Sequence, residues 1–404
     1  MKVAIVGGGA AGFFAALWTK EYHPEAQVSI LEKTTKVLSK VKVSGGGRCN
    51  VTNANTSISK LSQAYPRGRK FMKKALQQYS TADTMQWFED RNVPLTTQDD
   101  LHVFPVSQDS QSVIDCFLSE CRRLNIEIRT KLPVTSLQPQ DDGSINLVSK
   151  DQYAIGKFDK VIIATGGSPK LSGLDWLVDL GHQIETPVPS LFTFNMPSES
   201  VRDLMGVVVN PATASIQGSK LKATGPLLIT HWGMSGPAII VLSAFGARHL
   251  SDLDYQFNVQ VNWTNDQNFD AAYAYLDENK TLNSKKLATN FKPYGLPSRL
   301  WLYILDKCEI PRTKVWQEFG KKHLNKLATV LTNDVYKVSG KTTFKEEFVT
   351  CGGVSLSAID GLTMQSKSVP NLYFAGEILD IDGITGGYNF QAAWTTAYLA
   401  SKLV

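Results

Sequence analysis

A doubly wound α/β fold on a parallel sheet is what three features of the sequence predict. Residues 2–12 run from an apolar strand into glycines at Gly7, Gly9 and Gly12, and a helical pattern follows through Phe13 and Leu17. A second apolar run, Val28 to Leu31, ends on Glu32, 20 residues past Gly12. A third, Lys160 to Ala164, stops at Thr165-Gly166-Gly167, as a buried parallel strand does where an open sheet meets its ligand.

Strand, glycine turn, helix, strand and acid, in that order, make the dinucleotide-binding fingerprint. Gly7 is expected to make the tight turn, Gly9 to let the backbone approach a pyrophosphate, and Gly12 to let the helix pack close to the strand. The helix opening at Ala10 and Ala11 presents unpaired N–H groups and a partial positive charge to the phosphates. Glu32, followed by Lys33, is placed to accept from ribose hydroxyls.

Ser44-Gly45-Gly46-Gly47-Arg48-Cys49-Asn50 comes next, leading into Val51-Thr52-Asn53. Three glycines in a row permit positive φ and close backbone approach, as an enclosed ligand requires, and Arg48 and Asn50 add directed donors. Residues 66–74 carry five cations and begin a helix expected to reach about Tyr79. Such a run is either a solvated helix face, its commoner meaning, or a patch that draws a polyanion. Ser80 and Asp83 have capping-box spacing for the next helix. A further helix is expected over Gln108 to Leu124, then an antiparallel excursion from Ile126 to Ser149 turning at Asp141-Asp142-Gly143.

From Pro187 the segments shorten. Val207–Val209, Ala214–Ile216 and Tyr255–Val261 read as strands of a β-barrel or sandwich insert that carries His231 and Ser235 on an apolar, glycine-flanked loop. A lone histidine is usually structural; here a site role and a structural one stand side by side. Residues 265–332 are helical in pattern, with Trp301 and Trp316 as core. The chain then returns to ligand-type sequence with Phe348-Val-Thr-Cys-Gly-Gly353-Val and an apolar strand ending in Gly376-Glu377. Gly386-Gly387-Tyr388-Asn389 opens the last helix. The second acid suits a ribitol hydroxyl, which FAD has and NAD lacks. The helix start would face the N1/O2 edge of a reduced flavin. The site is therefore read as built from both ends of the chain.

The composition is that of an ordinary globular protein of two or three domains, with 404 residues, 43% hydrophobic and 20% charged. A formal charge of +5 permits an anionic partner without requiring one. Five cysteines, Cys49, Cys116, Cys121, Cys308 and Cys351, show neither CxxC nor metal spacing, which points to reduced thiols and no metal. His231, Ser235 and Pro237 interrupt the most apolar stretch, so no membrane span is expected and a cytoplasmic location is.

With these motifs, Ala164-Thr-Gly-Gly167, Thr230-His-Trp-Gly-Met-Ser-Gly-Pro237, Val349 to Val354, and Ala375-Gly-Glu-Ile-Leu-Asp380 through Gln391, the chain resembles the BaiN/aminoacetone-oxidase-like (YhiN-like) family of FAD-binding oxidoreductases. The resemblance implies a Rossmann-like FAD domain over 1–190 and 340–404, an inserted barrel over 191–262 and 333–339, and a helical subdomain over 263–332. The expected coenzyme set is Gly7, Gly9, Ala10, Ala11, Gly12, Glu32, Lys33, Ser44, Gly45, Gly46, Gly47, Arg48, Cys49, Asn50, Val134, Ala164, Thr165, Gly166, Gly376, Glu377, Gly387, Tyr388 and Asn389. Arg48, Asn50, His231 and Tyr388 are the catalytic candidates. Three activities remain open. One is a reductase fed transiently by NAD(P)H, its substrate a small molecule or a uridine of ribosomal RNA converted to dihydrouridine. The second is an oxidase of a small primary amine, and the third a flavin-bearing binding protein without chemistry. The substrate and the oligomeric state stay undetermined.

Overall fold

The computed structural model describes residues 1–150, 153–265, 267–342 and 349–404; Phe348, the first residue of the second glycine motif, lies outside them. β1 (Lys2–Val6), α1 (Ala10–Tyr22) and β2 (Gln27–Leu31) form the expected first unit, with β1 and β2 parallel. α2 (Ser39–Gly47) ends in left-handed glycines and leads to β3 (Thr52–Asn53), α3 (Ile58–Gln63), α4 (Arg69–Ala75) and α5 (Thr81–Glu89). α5 begins with the capping box of Ser80 and Asp83. α4 stops at Ala75 rather than Tyr79, because the amides of Gln77 and Gln78 bond three residues back in a tighter turn. β4 (Leu95–Thr97) and β5 (His102–Pro105) make a hairpin whose second strand also pairs with β3.

α6 (Ser110–Arg123), capped by the Asp109 carboxylate, and β6 (Glu127–Arg129) precede an antiparallel three-stranded excursion, β7 (Ser136–Pro139), β8 (Ile145–Val148) and β9 (Ala154–Phe158). β10 (Lys160–Ile163) returns to the parallel sheet, followed by α7 (Asp175–Val178) and β11 (Ile184–Ser190).

The second unit, Leu191–Phe344, has its own apolar core. Its elements are β12 (Thr193–Asn195), β13 (Val208–Ile216), β14 (Lys222–Ile229), β15 (Gly233–Ser235), α8 (Pro237–Asp252), β16 (Gln256–Asn262), α9 (Phe269–Leu282), α10 (Ser298–Lys307), α11 (Lys321–Thr332), β17 (Asp334–Ser339) and β18 (Lys341–Thr342). Two short strands expected over 207–216 are one, β13, with a register shift between Val209 and Ala212. The strand order is β17-β16-β13-β14-β15-β12-β18, and its two ends are joined by Gly340 alone. One bent strand thus pairs with β16 before Gly340 and with β12 after it, and closes the barrel. α9 to α11 bury Leu276, Trp301 and Leu327 in the same core as Ile229 and Val261 of the barrel strands.

β19 (Val349–Val354) pairs antiparallel with β11, and β20 (Leu372–Phe374) and α12 (Tyr388–Ala400) complete the first unit, Met1–Ser190 with Lys345–Val404. Its parallel sheet runs β20-β10-β1-β2-β6, so the last strand and the first lie two places apart. α12 packs on α1 through Trp394 and Phe14, ring centroids 5.1 Å apart. Among the described residues no helix is long and apolar enough to cross a membrane.

The basic run divides in two. Arg69, Lys70, Lys73 and Lys74 are exposed, whereas Arg67 is 10% exposed and pairs with the fully buried Asp382, which also accepts from Ser190 Oγ at 2.8 Å. Arg67 is therefore no part of a solvated face; it ties the segment before α4 to the loop before α12. Replacing Arg67 by Met strands a buried carboxylate and is expected to cost about 3–5 kcal/mol. Lys70→Met is expected to shift stability by less than about 0.5 kcal/mol. Urea unfolding of both variants checks this, and equal small effects would contradict the buried pair.

Candidate functional site

The glycines of the first turn have different reasons to be glycine. A Cβ on Gly7 (φ 118°) would lie 2.3 Å from the Ala164 carbonyl oxygen, and one on Gly12 would lie 1.9 Å from that of Gly7. Both are required by the packing of strand, turn and helix. Gly9 is not: its backbone is extended (φ −94°, ψ −169°), and a Cβ there would meet nothing within 4 Å. α1 has no side-chain cap, and its first internal bond runs from Phe13 N–H to Gly9 O. The N–H groups of Ala10, Ala11 and Gly12 are thus without a partner among the described residues and open toward that space. Donors of this kind, at the positive end of a helix, suit a diphosphate.

Glu32 stands at the end of β2, where Oε2 accepts from Gly8 N–H at 2.9 Å and Oε1 from Thr34 N–H at 2.8 Å. Each oxygen keeps a lone pair for a ribose hydroxyl. Leu132 N–H bonds Glu32 O at 2.9 Å and brings the half-buried Val134 to the same end of the sheet, while Lys33 is exposed.

In the glycine loop, Ser44 leaves the helix with its Oγ on Val41 O at 2.9 Å, and Gly45, Gly46 and Gly47 take φ of 57°, 68° and 87°. A Cβ on Gly46 or Gly47 would also meet open space. Arg48 lies with its guanidinium carbon 4.1 Å above the Phe104 ring and donates to Gly45 O and Gln108 Oε1. Two expectations change here. The Cys49 thiol is buried in the core, and burial pushes it up to about 12, so it offers no side-chain contact to a ligand. Asn50 is also committed: with its amide turned to satisfy both ends, nitrogen donates to Val103 O and Thr52 O and oxygen accepts from Gly387 N–H at 3.1 Å. Asn50 is a positioning residue.

The other rim comes from the end of β10 and the C-terminal segment. Thr165 is exposed, and a Cβ on Gly166 (φ 75°) would again meet nothing. Gly376 packs on α1, where a Cβ would lie 2.7 Å from the Ala11 methyl, and its N–H donates to Thr396 Oγ1 at 2.8 Å. Glu377 has partners of its own: Oε2 meets Lys40 Nζ at 2.7 Å and Oε1 accepts from Thr350 N–H at 2.9 Å. The Thr350 hydroxyl beside it is buried without a hydrogen-bond partner. Gly387 N–H is taken by Asn50, so the donors left at the start of α12 are those of Tyr388, Asn389 and Phe390. The Asn389 amide closes on Gly383 from both ends, at 2.8 and 2.9 Å, and shapes the loop instead of facing a ligand. Burial, with the nearby Asp100 charge, raises the Tyr388 hydroxyl above the usual tyrosine range and keeps it protonated. His231 belongs to the second unit, exposed in the turn between β14 and β15 with its ring 4.3 Å from Trp232.

Sequence reasoning missed Lys40, Thr350 and His102. Lys40 and His102 lie in no motif, and Thr350 sits in the Val349–Val354 motif, where the glycines alone drew notice; each gains its place from a partner far along the chain.

Open space before Gly9, Gly46, Gly47 and Gly166, two uncapped helix starts and an acid at the end of β2 fit FAD in extended form. Fold and site thus define a two-ended dinucleotide-binding flavoprotein. The model of the HI0933-like protein Rossmann domain matches residues 1–403, and the chain belongs to that family of FAD-binding oxidoreductases and is an enzyme of its class. It is 27% identical over 99% of its length to a 3-dehydro-bile acid delta(4,6)-reductase of Clostridium scindens, covering 98% of that protein. It is 26% identical over 98% of its length to the ribosomal RNA dihydrouridine synthase of Escherichia coli, covering 96%. Among solved structures, 3-ketosteroid-delta4-(5alpha)-dehydrogenase from Rhodococcus jostii RHA1 shares the fold, with TM-score 0.51 and 13% identity over 99% of this chain and 97% of that one.

The glycines supply a test that separates packing from ligand binding. Gly9→Ala is expected to leave stability within about 1 kcal/mol while weakening FAD binding at least about tenfold. Gly12→Ala should lose about 3 kcal/mol or more of stability. Thermal melts and flavin titration read both, and undiminished FAD affinity in Gly9→Ala would contradict the cradle.

Proposed function

We propose that the enzyme is an NAD(P)H-dependent reductase of a carbon–carbon double bond conjugated to a carbonyl. The observation that carries the coenzyme half of this reading is the pair of uncapped helix starts, α1 and α12, in one unit, with no protein side chain filling the space at Gly9. The substrate half is supported by the two relatives named above, since a bile-acid delta(4,6)-reductase and a dihydrouridine synthase both saturate an alkene beside a carbonyl. Bound FAD would supply hydride chemistry. The N–H groups of Ala10, Ala11 and Gly12 would hold its diphosphate, Glu32 its ribose, and Gly45 to Gly47 would admit it closely. Tyr388, Asn389 and Phe390 N–H groups would favour negative charge at the ring edge. Arg48, braced on Phe104, would anchor an anionic or carbonyl group. The described residues offer no second glycine fingerprint, so the nicotinamide would visit transiently.

A second reading names the substrate as a uridine in RNA. One observation favours it: Arg69, Lys70, Lys73 and Lys74 put four exposed cations on one short helix. Binding of a single-stranded oligonucleotide through them should fall with salt at a log–log slope of about −3, and Lys73→Gln with Lys74→Gln should reduce that slope by about half. A slope unchanged by the double variant would contradict this surface.

The reductase reading is tested anaerobically. NADH or NADPH should bleach the yellow protein, and 4-androstene-3,17-dione or a uridine oligonucleotide should restore the colour. Bleaching by primary amines with no response to either nicotinamide would contradict it in favour of an amine oxidase.

A further inference from the structure

β5 touches both glycine loops of the site, and at each contact a missing side chain makes room for a ring. Phe104 lies under Arg48, and a Cβ on Gly45 would come within 3.0 Å of the Phe104 ring. Two residues earlier on the same face of the strand, His102 does the same at the other loop. A Cβ on Gly386 (φ 123°) would lie 2.8 Å from His102 Nε2 and 3.0 Å from Tyr388 Cε2. Gly386 is thus held between the two rings at the start of α12. The loop is pinned there, because Asn53, opposite His102 in β3, donates from Nδ2 to Gly386 O at 3.2 Å.

The other side of the imidazole is occupied by an acid. His102 Nδ1 lies 3.2 Å from Asp100 Oδ2, and Asp100 Oδ1 accepts from the His102 backbone N–H at 3.2 Å. The carboxylate is thereby fixed in the β4–β5 turn and selects the Nδ1–H form of the ring, which leaves Nε2 as the atom that exchanges a proton. The side chain is 28% exposed, accessible without being free in solvent. The charged or titratable groups facing it are Asp100 from its own hairpin, Tyr388 from α12 and, beyond Phe104, Arg48 from the end of α2; Asn53 from β3 is neutral.

We infer that His102, oriented by Asp100, is the proton donor for the substrate at the Gly386–Tyr388 end of the site. This rests on the reading of the enzyme as a reductase of a conjugated double bond. In that reaction the alkene π bond breaks and the β-carbon gains a hydride, two electrons and one proton, from the flavin coenzyme of the class. The resulting enolate needs one more proton. The Nε2–H bond of protonated His102 breaks, a C–H bond forms at the α-carbon, and the carbonyl is restored. His102 is left neutral and takes a proton from water before the next cycle. Asp100 is the positioning residue that orients the ring. Tyr388, kept protonated, offers its hydroxyl as a neutral donor beside it.

The test uses the full FAD-loaded chain with His102→Gln and Asp100→Asn, and 4-androstene-3,17-dione and a uridine oligonucleotide as probes. In His102→Gln, FAD content and the rate of bleaching by NAD(P)H should stay as in the wild type, while reoxidation by the probe that the wild type reduces slows roughly 10²–10⁴-fold. Asp100→Asn, which removes the carboxylate that orients the ring through Nδ1, should slow the same step by a smaller factor. As a readout apart from turnover, diethyl pyrocarbonate should modify His102 in the resting protein, and FAD with the effective probe should protect it, seen by mass spectrometry. If the wild type reduces a probe and His102→Gln matches it in rate, the role of His102 is overturned and the reductase reading stands. If the wild type reduces neither probe, the reductase reading falls and the proton-donor role with it.

Discussion

The structure depends on a crowding that ends one residue short of the ligand. Gly7 and Gly12 are pressed against backbone oxygens of Ala164 and Gly7, at separations no Cβ could share. That contact draws β1, α1 and the end of β10 together so tightly that only the helix start remains open. Unpaired buried N–H groups cost about 1–3 kcal/mol each. A helix opening with three of them, and no capping side chain, is stable only when water or a ligand satisfies them. Gly9 stands where a side chain would have cost the protein nothing in packing, and there is none.

The C-terminal segment completes the site by the same means. Gly376 lets its loop settle on Ala11 of α1, and Gly387 lets the start of α12 settle on Thr52. The two ends of the chain are thus held by backbone contacts, with Trp394 against Phe14 behind them. Asn50, Asn389 and the Arg67–Asp382 pair fix the intervening loops. These residues look like ligands because they are polar and clustered, yet their hydrogen bonds are spent on the protein. Rigid loops of this kind are what let a few backbone donors act as a site.

What could be seen in the sequence was what is local. The first strand, turn, helix and acid lie within 31 residues and obey short-range rules, and so does the Ser80–Asp83 capping box. The β7–β8 hairpin turning at Asp141-Asp142-Gly143 and the last helix were legible for the same reason, although the excursion expected from Ile126 to Ser149 begins only at Ser136, because β6 joins β2 in the parallel sheet, and gains β9 as a third strand. What was hidden is settled by distant partners. Arg67 reads as one cation among five until Asp382, 315 residues later, takes it. Asn50 reads as a free donor until Gly387 claims its oxygen. The residues alone left barrel and sandwich both open, because closure depends on one glycine that splits a strand between two neighbours. His102 gave no signal either: a single histidine on a four-residue strand acquires meaning only when Asp100, Gly386 and Tyr388 surround it.

The central claim is that one extended coenzyme engages both helix starts at once. Amide hydrogen exchange on the coenzyme-free protein, repeated after adding FAD, tests it most directly. The amides of residues 10–12 and of residues 388–390 should exchange freely without FAD and become protected together, at the same FAD concentration. Protection at only one of the two helix starts, or at neither, would contradict the account.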